Sequence, residues 1–450
     1  MKFDILHLAL VLPWRRMARA LSACLLAVAA SIPLAATAAP NWITSWTASP
    51  QGPYPSGSTV AQPTLQFAFP GNVAMDQTFR LIVRPGLWSG SMRVHFTNLF
   101  GNQPVTFDGV HVGLQKTGAG LVSGSNTPVS FGGASSVTLQ PGASVWSDPV
   151  TLSFVHADSG DRINLAGRKL AVSFHTVGST GPMTWHATSM TTSYATNPGA
   201  GSVGNTEGDV FPVSTTSWYF IDKIDMDAPA GTQLVVAVGD SITDGASSTI
   251  NGDDRWSDVV ARRLKATYGD RVVLINASLS GNRIVGPATY DPGNPATSGP
   301  SLLQRLARDV IGLSGVSTVV LQEGTYDVTS GATTQQIKDG IVSIVQQLRL
   351  SIPNVRVVGT TLTSALTATG AAGTAAAAAQ RIELNQFIQT SGLFDSVVDF
   401  YALTTDPQTG ALRTKFVPNS AIGGNGDRVN PNRAGALTMG NAVNLGSLVH

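Results

Sequence analysis

The residue best placed to do chemistry is Ser241, in Gly239-Asp240-Ser241-Ile242-Thr243-Asp244-Gly245. This stretch directly follows the apolar run Leu234 to Val238, so Ser241 falls on a tight turn at a strand end, with its hydroxyl projected above the sheet. A serine so placed can be a nucleophile, and backbone N–H groups of the following turn can help hold an oxyanion. The same letters equally suit an ordinary Gly/Asp turn, or a phosphate-cradling loop without the Walker lysine. A serine nucleophile needs a base, most often histidine. From Thr232 onward the only histidine is His450, the last residue, where fraying is expected. His95, His111, His156, His175 and His186 all lie upstream. Thr184-Trp185-His186 would have to face Ser241 from another part of the chain, and a satisfied structural histidine is the preferred reading.

Other chemical groupings have plainer readings. Asn251-Gly252-Asp253-Asp254 bears carboxylates without companion ligands and reads as a solvated turn and helix cap, so no metal site is expected. Arg262, Arg263 and Lys265 read as a solvated helix face. The eight tryptophans show no spacing that would form a solvent-facing row, so core packing is preferred over a carbohydrate platform.

The elements that must position Ser241 are strands alternating with helices. Leu234 to Val238, Val272 to Ile275, Thr318 to Leu321 and Val355 to Val358 are continuous apolar or β-branched runs, as expected of strands buried on both faces, and Phe394 to Phe400 is a fifth. Ile337, Ile341, Ile344, Val345 and Leu348 mark one face of a helix; Trp256, Val259, Val260 and Leu264 mark another. The alanine run Ala375 to Ala379 belongs to a helix ending near Gly392. Such a series predicts a doubly wound parallel sheet of the α/β class, with ligands at the carboxyl ends of its strands.

From Asn41 to about Asp227 the rhythm differs. Short alternating runs such as Phe79 to Val83 and Met92 to Phe96, broken by Gly and Pro, predict an all-β antiparallel sandwich. Asp225-Met226-Asp227-Ala228-Pro229-Ala230-Gly231 reads as a linker, which gives domains at 39–228 and 229–450.

Residues 1–38 read as a secretory signal. Arg15, Arg16 and Arg19 precede an apolar run from Ala20 to Ala36, and Ala36-Thr37-Ala38 suits signal peptidase, with cleavage near Ala38; Met17 is an alternative start. The apolar run falls short of the ~20 residues a span needs, so no stable membrane anchor is expected. Cys24 precedes the apolar region instead of following it, which argues against lipidation. The expected destination is secreted or periplasmic.

The 450 residues exceed one ordinary core, and their 42% hydrophobic content is too high for a disordered chain. Cleavage removes four basic residues and one acidic residue, so 28 and 27 become 24 and 26, a balance of −2. That balance argues against a nucleic-acid partner. Cys24, the only cysteine, leaves too, so the mature chain has neither thiol chemistry nor disulfides.

Four blocks carry a family likeness. Gly239 to Gly245, Ser280-Gly281-Asn282-Arg283, Glu323-Gly324-Thr325-Tyr326-Asp327 and Gly426-Asp427-Arg428-Val429-Asn430-Pro431-Asn432 resemble, in order, the conserved blocks of the GDSL or SGNH hydrolases over roughly Thr232 to Gly440. Trp42-Ile43-Thr44-Ser45-Trp46-Thr47-Ala48-Ser49-Pro50 is similar to the start of the bacterial subgroup with an N-terminal sandwich. The resemblance implies a flavodoxin-like sheet, no cofactor, and a small ester or acetylated carbohydrate as substrate. It also implies Ser241 as nucleophile, Asp427 as the acidic triad member, and the N–H groups of Ser241 and Gly281 as oxyanion donors.

Two positions depart from the pattern. Tyr326 stands where the family has an asparagine donor, and Asn430 stands where it has the general-base histidine. A tyrosine hydroxyl can still donate to the oxyanion, and losing such a donor costs about 10² to 10³ in rate. An asparagine amide takes no proton near neutral pH, and removing the base of a serine hydrolase costs about 10⁶. The reading is therefore a secreted ester hydrolase with impaired turnover. The alternative is a pseudohydrolase that binds a glycan, lipid or protein.

Overall fold

The computed structural model describes residues 39–57, 62, 65–155, 165, 167–286 and 298–450. The expected signal over 1–38 and His156 lie outside them.

The five expected apolar runs form one parallel sheet. Its strands are Gln233–Gly239 (β1), Val272–Asn276 (β2), Val316–Gln322 (β3), Arg356–Thr360 (β4) and Ser396–Val398 (β5), in the order β2-β1-β3-β4-β5. Successive side chains of a strand point to opposite faces, so the apolar run of β1 serves two cores. Val235 and Ala237 pack with the helix Trp256–Tyr268 (α2) and the helix Arg433–Ala442 (α6), through residues such as Trp256, Val260 and Met439. Leu234, Val236 and Val238 pack on the other side with the helices Thr334–Ser351 (α4) and Ala375–Thr390 (α5), through residues such as Ile337, Ile344 and Leu384. The expected face of α4 is buried throughout, and a capping box fixes the start of this helix: Thr333 Oγ1 accepts from Gln336 N at 3.2 Å while Gln336 Oε1 accepts from Thr333 N at 2.9 Å.

The last strand is shorter than the run Phe394 to Phe400. Phe394 lies with its ring against the backbone of Gly359, and Phe400 opens the helix Phe400–Thr404, whose N-cap Asp399 accepts from Ala402 N.

The described residues between 42 and 227 form antiparallel sheets of five, eight and three strands. The five-stranded sheet includes Trp42–Thr47, Ile221–Asp227 and Ser91–Thr97; the eight-stranded one is centred on Val73–Val83, Leu170–Pro182 and Val105–Thr117. Aromatic rings fill the space between these two sheets. Phe96 of the first lies 5.1 Å from Phe107 and 5.3 Å from Phe174 of the second, edge-on to the latter, while Phe79 stacks on Phe174 at 5.3 Å.

The expected linker is partly strand. Asp225, Met226 and Asp227 complete the strand Ile221–Asp227, because Met226 is fully buried and Asp225 pairs with Arg93 at 2.7 Å. The connection shortens to Ala228–Thr232, and Asn41–His450 folds as one compact unit. Backbone and side chains stitch its two halves: Thr44 N donates to Ser314 O at 3.0 Å, Asn251 N to Met190 O at 2.8 Å, and Arg308 Nη2 to Pro50 O at 3.0 Å. Among the described residues no helix is long and apolar enough to cross a membrane.

Several plainer readings are refined. Asp253 faces Arg84 and Lys169 of the antiparallel half at 3.7 and 3.6 Å, so it belongs to the seam between halves, and the box that caps α2 joins Arg255 with Asp258. Arg263 is not solvated; its Nη1 donates to Gly440 O and Val443 O at the end of α6, while Arg262 stays exposed. Trp185 and Trp256 are fully buried, and the faces of Trp42 and Trp146 are occupied by the Arg93 guanidinium at 4.8 and 4.1 Å.

Candidate active site

The serine turn is built by two glycines and an aspartate. A Cβ on Gly239 would lie 2.1 Å from Gln322 O of β3, so only glycine permits this close approach of the two strands. Asp240 caps the one-turn helix Ser241–Asp244 (α1) by accepting from Ile242 N at 3.0 Å, and Gly245 ends it at φ +94°, a left-handed conformation that favours glycine. Ser241 thus sits just beyond the carboxyl end of β1, buried, with its side chain turned toward the third and fourth blocks.

The fourth block meets it there. Asp427 Oδ1 accepts from Val429 N and Asn430 N, both at 2.8 Å, and its Oδ2 accepts from Asn430 Nδ2 at 2.6 Å. A carboxylate only accepts hydrogen bonds, so the asparagine must turn its amide nitrogen to Asp427 and its carbonyl oxygen to Ser241. Ser241 Oγ donates to that oxygen at 2.7 Å. With the single serine hydrogen committed, the Tyr326 hydroxyl, 2.8 Å from Ser241 Oγ, is the donor to it. Burial, reinforced by the Asp240 charge, pushes the Tyr326 phenol up to about 12, so it stays a neutral donor at ordinary pH. The hydrogens therefore run one way, from Tyr326 to Ser241 to Asn430, and from Asn430 to Asp427. Ser241 is thereby oriented by an amide oxygen, which accepts its hydrogen bond.

The second block is held at both ends. Asp244 Oδ2 accepts from Ser280 N at 2.8 Å and Ser280 Oγ at 2.6 Å, and Asp327, next to Tyr326, accepts from Ile284 N at 2.8 Å and Val285 N at 2.9 Å. Gly281 lies between these anchors at φ +78°, where a Cβ would come within 2.3 Å of Ser298 Oγ. Ser241, Tyr326, Asn430 and Asp427 are thus joined in one hydrogen-bonded chain, and Gly281 is tied to the serine turn through its neighbour Ser280.

Beneath the site lies a buried acidic layer that the sequence did not suggest. Burial lifts Asp240 to about 7 and lifts Glu323 well above the usual carboxylate range, with the Asp240 and Glu323 charges opposing each other. Glu323 is the first residue of the third block, and only its burial distinguishes it from a surface carboxylate.

No described histidine bonds to Ser241. His450 is held rather than frayed, its N–H on Gln233 Oε1 and its ring on Ser317 O, but these residues begin β1 and β3. At about 3.3 Å per strand residue that places it roughly 20 Å from the carboxyl ends. His95 pairs with Asp222, His175 with Asp108 and Asp76, and His111 with Gly109 O. His186 bonds to Asp244, three residues beyond Ser241.

Residues 237–436 match the model of the GDSL-like lipase/acylhydrolase family. Among solved structures, the chain resembles a GDSL-like lipase from Bacteroides thetaiotaomicron at 19% identity, covering 48% of this chain and 87% of that one, with a TM-score of 0.35. It also resembles an inhibitor-bound aryl esterase from M. smegmatis (17% identity, 48% and 100% covered, TM-score 0.36) and a carbohydrate acetylesterase from Sinorhizobium meliloti (17% identity, 47% and 95% covered, TM-score 0.34). No curated protein matches the chain.

Proposed function

We propose, for a chain whose residues 237–436 belong to the GDSL-like lipase/acylhydrolase family, that it is an acyl- or acetyl-ester hydrolase with impaired turnover. In this reading the β2-β1-β3-β4-β5 order is a flavodoxin-like sheet, preceded over 39–228 by an antiparallel sandwich, and the protein is secreted or periplasmic after loss of residues 1–38. Ser241 attacks the carbonyl of a small ester or acetylated carbohydrate. The N–H groups of Ser241 and Gly281, with the Tyr326 hydroxyl, receive the oxyanion, and Asp427 orients the residue at position 430.

One observation carries the reading: Ser241 Oγ donates to Asn430 Oδ1 at 2.7 Å while Asn430 Nδ2 donates to Asp427 Oδ2 at 2.6 Å. A triad holds a serine by the same two links, and there histidine accepts the proton as the serine attacks. An amide oxygen orients the hydroxyl without accepting the proton, so attack proceeds from the neutral alcohol. The geometry of catalysis is kept, and its proton transfer is lost. The second reading, a pseudohydrolase that binds without turnover, is favoured by Tyr326, whose hydroxyl engages a lone pair of Ser241 at 2.8 Å.

The test is hydrolysis of short-chain aryl esters and acetylated sugars by the chain lacking residues 1–38. Turnover is expected to be slow and to vanish in Ser241→Ala. The pair Asn430→His and Tyr326→Asn is expected to raise kcat by about 10³ or more, since a base and a family donor are both restored. Rapid Ser241-dependent hydrolysis by the unmodified protein would sink the impairment. An inert reverted protein would sink the hydrolase assignment itself.

A further inference from the structure

His186 ends the short strand Thr184–His186 of the antiparallel half, yet its ring faces the serine turn. Its Nδ1 lies 2.9 Å from Ser49 O, and its Nε2 lies 3.3 Å from both Thr188 O and Asp244 Oδ1. All three partners only accept hydrogen bonds, so the ring satisfies them only with a proton on each nitrogen. His186 and Asp244 are both buried, and imidazolium against carboxylate is the state in which each buried charge has a counter-charge beside it. Burial works against the imidazolium, but the Asp244 carboxylate and the Ser49 carbonyl outweigh it and raise the pKa of His186. Arg255 opposes them, although its Nε is spent on Asp244 O and its Nη2 on Ser189 O, both at 2.6 Å. Arg84, Asp253 and Asp258 share with these groups the wall of a cavity of about 80 Å³ beside the ring.

The other oxygen of Asp244 holds the oxyanion loop, accepting from Ser280 N and Ser280 Oγ. Ser49, which receives His186 Nδ1 on its carbonyl, also donates its hydroxyl to Ala277 O at 3.0 Å. Arg305 completes the brace from the parallel half, donating to Ala277 O at 2.7 Å and Asn282 Oδ1 at 2.8 Å. The loop Ala277–Asn282 is thus gripped from the antiparallel half at two points.

We propose that His186 is a positioning residue for the ester site: through Asp244 and Ser280 it fixes Gly281 relative to Ser241, making the antiparallel half a working part of that site. The proposal rests on the oxyanion role given to Gly281, but its first test does not use activity.

That test is amide hydrogen exchange in the unmodified protein, in His186→Gln and in Asp244→Asn, read over Leu279 to Asn282 with α4 as internal reference. Loss of a charge-assisted link should speed exchange at Ser280 by about tenfold or more while α4 is unchanged. The same acceleration, corrected for the intrinsic rate, should appear in the unmodified protein as pH rises through the titration of His186. An unchanged loop, or an equal rise in loop and helix, overturns the proposal; the pH arm needs no substitution and decides the matter even where a variant fails to fold. In the protein carrying Asn430→His and Tyr326→Asn, adding His186→Gln should lower kcat with KM nearly constant. A loosened loop with unchanged kcat would leave the brace standing and remove the oxyanion role of Gly281, so the two readings fail separately.

Discussion

Asp222 and Asp240 are both buried, one in each half of the molecule, and their carboxyls are shifted in opposite directions. Asp222 meets His95 at 2.5 Å, with Lys223 and Arg308 nearby, and although burial opposes it these neighbours hold its carboxyl below the usual range. Asp240, at the foot of the serine turn, has one oxygen on Ile242 N and no adjacent cation strong enough to offset burial, which lifts it to about 7. Burial depth is the same in the two cases, so the partner decides. The histidines follow the same division. The antiparallel half pairs His95, His175 and His186 with aspartates, whereas the site in the parallel half links Ser241 to Asp427 through an asparagine. Among the described residues none of these His–Asp pairs bonds to Ser241, whose link to Asp427 runs through Asn430 instead.

The largest effect should come from breaking the antiparallel pair. Asp222→Asn leaves a histidine buried without its carboxylate and should cost about 3 kcal/mol or more of unfolding free energy by urea titration. Because the Asp222 carboxyl is depressed in the folded state, its contribution is present above the unfolded carboxylate pKa and is lost as pH falls through the folded value. The variant should therefore lose less stability in acid than the unmodified protein.

Asp240→Asn should act with the opposite sign. A carboxyl raised in the folded state contributes stability below its unfolded pKa of about 3.9, and that contribution is lost as pH rises through the folded value, at a slope of at most about 1.4 kcal/mol per pH unit. Asparagine keeps the N-cap and carries no charge, so the decline between about pH 4 and pH 7 should flatten in the variant. An unchanged slope would mean that Glu323 carries the titration. The smallest effect is expected at Arg262, exposed on α2: Arg262→Ala should shift stability by less than about 0.5 kcal/mol, whereas Arg263, which closes the carbonyl end of α6, should not be as tolerant.

Much of this was legible in the sequence. The runs at Leu234, Val272, Thr318 and Val355 became strands because a sheet covered on both faces requires uninterrupted apolar side chains, and the faces of α2 and α4 followed the helical period. The four chemical blocks lay at strand ends or before α6, and three of them deliver side chains to one hydrogen-bonded chain. Less legible were the ends of elements: Asp225 to Asp227 read as linker because aspartates are poor strand formers, and their place in the sheet follows from distant partners, Arg93, Thr44 and Ser314 on Asp225 and Asn41 on Asp227, with Met226 buried between. Arg263 read as solvated because its carbonyl partners lie beyond residue 439.

The sequence by itself determined the alternation of elements, the turn that presents Ser241, and the presence of an asparagine at position 430 three residues after Asp427, since each depends on residues close together in the chain. Tertiary structure alone decided which atom of Asn430 faces Ser241, 189 residues away, that His450 docks at the far end of the sheet, and that His186 crosses from one half to grip Asp244. Those outcomes depend on which acceptors, charges and low-dielectric surroundings packing brings together, and spacing along a chain carries no record of them.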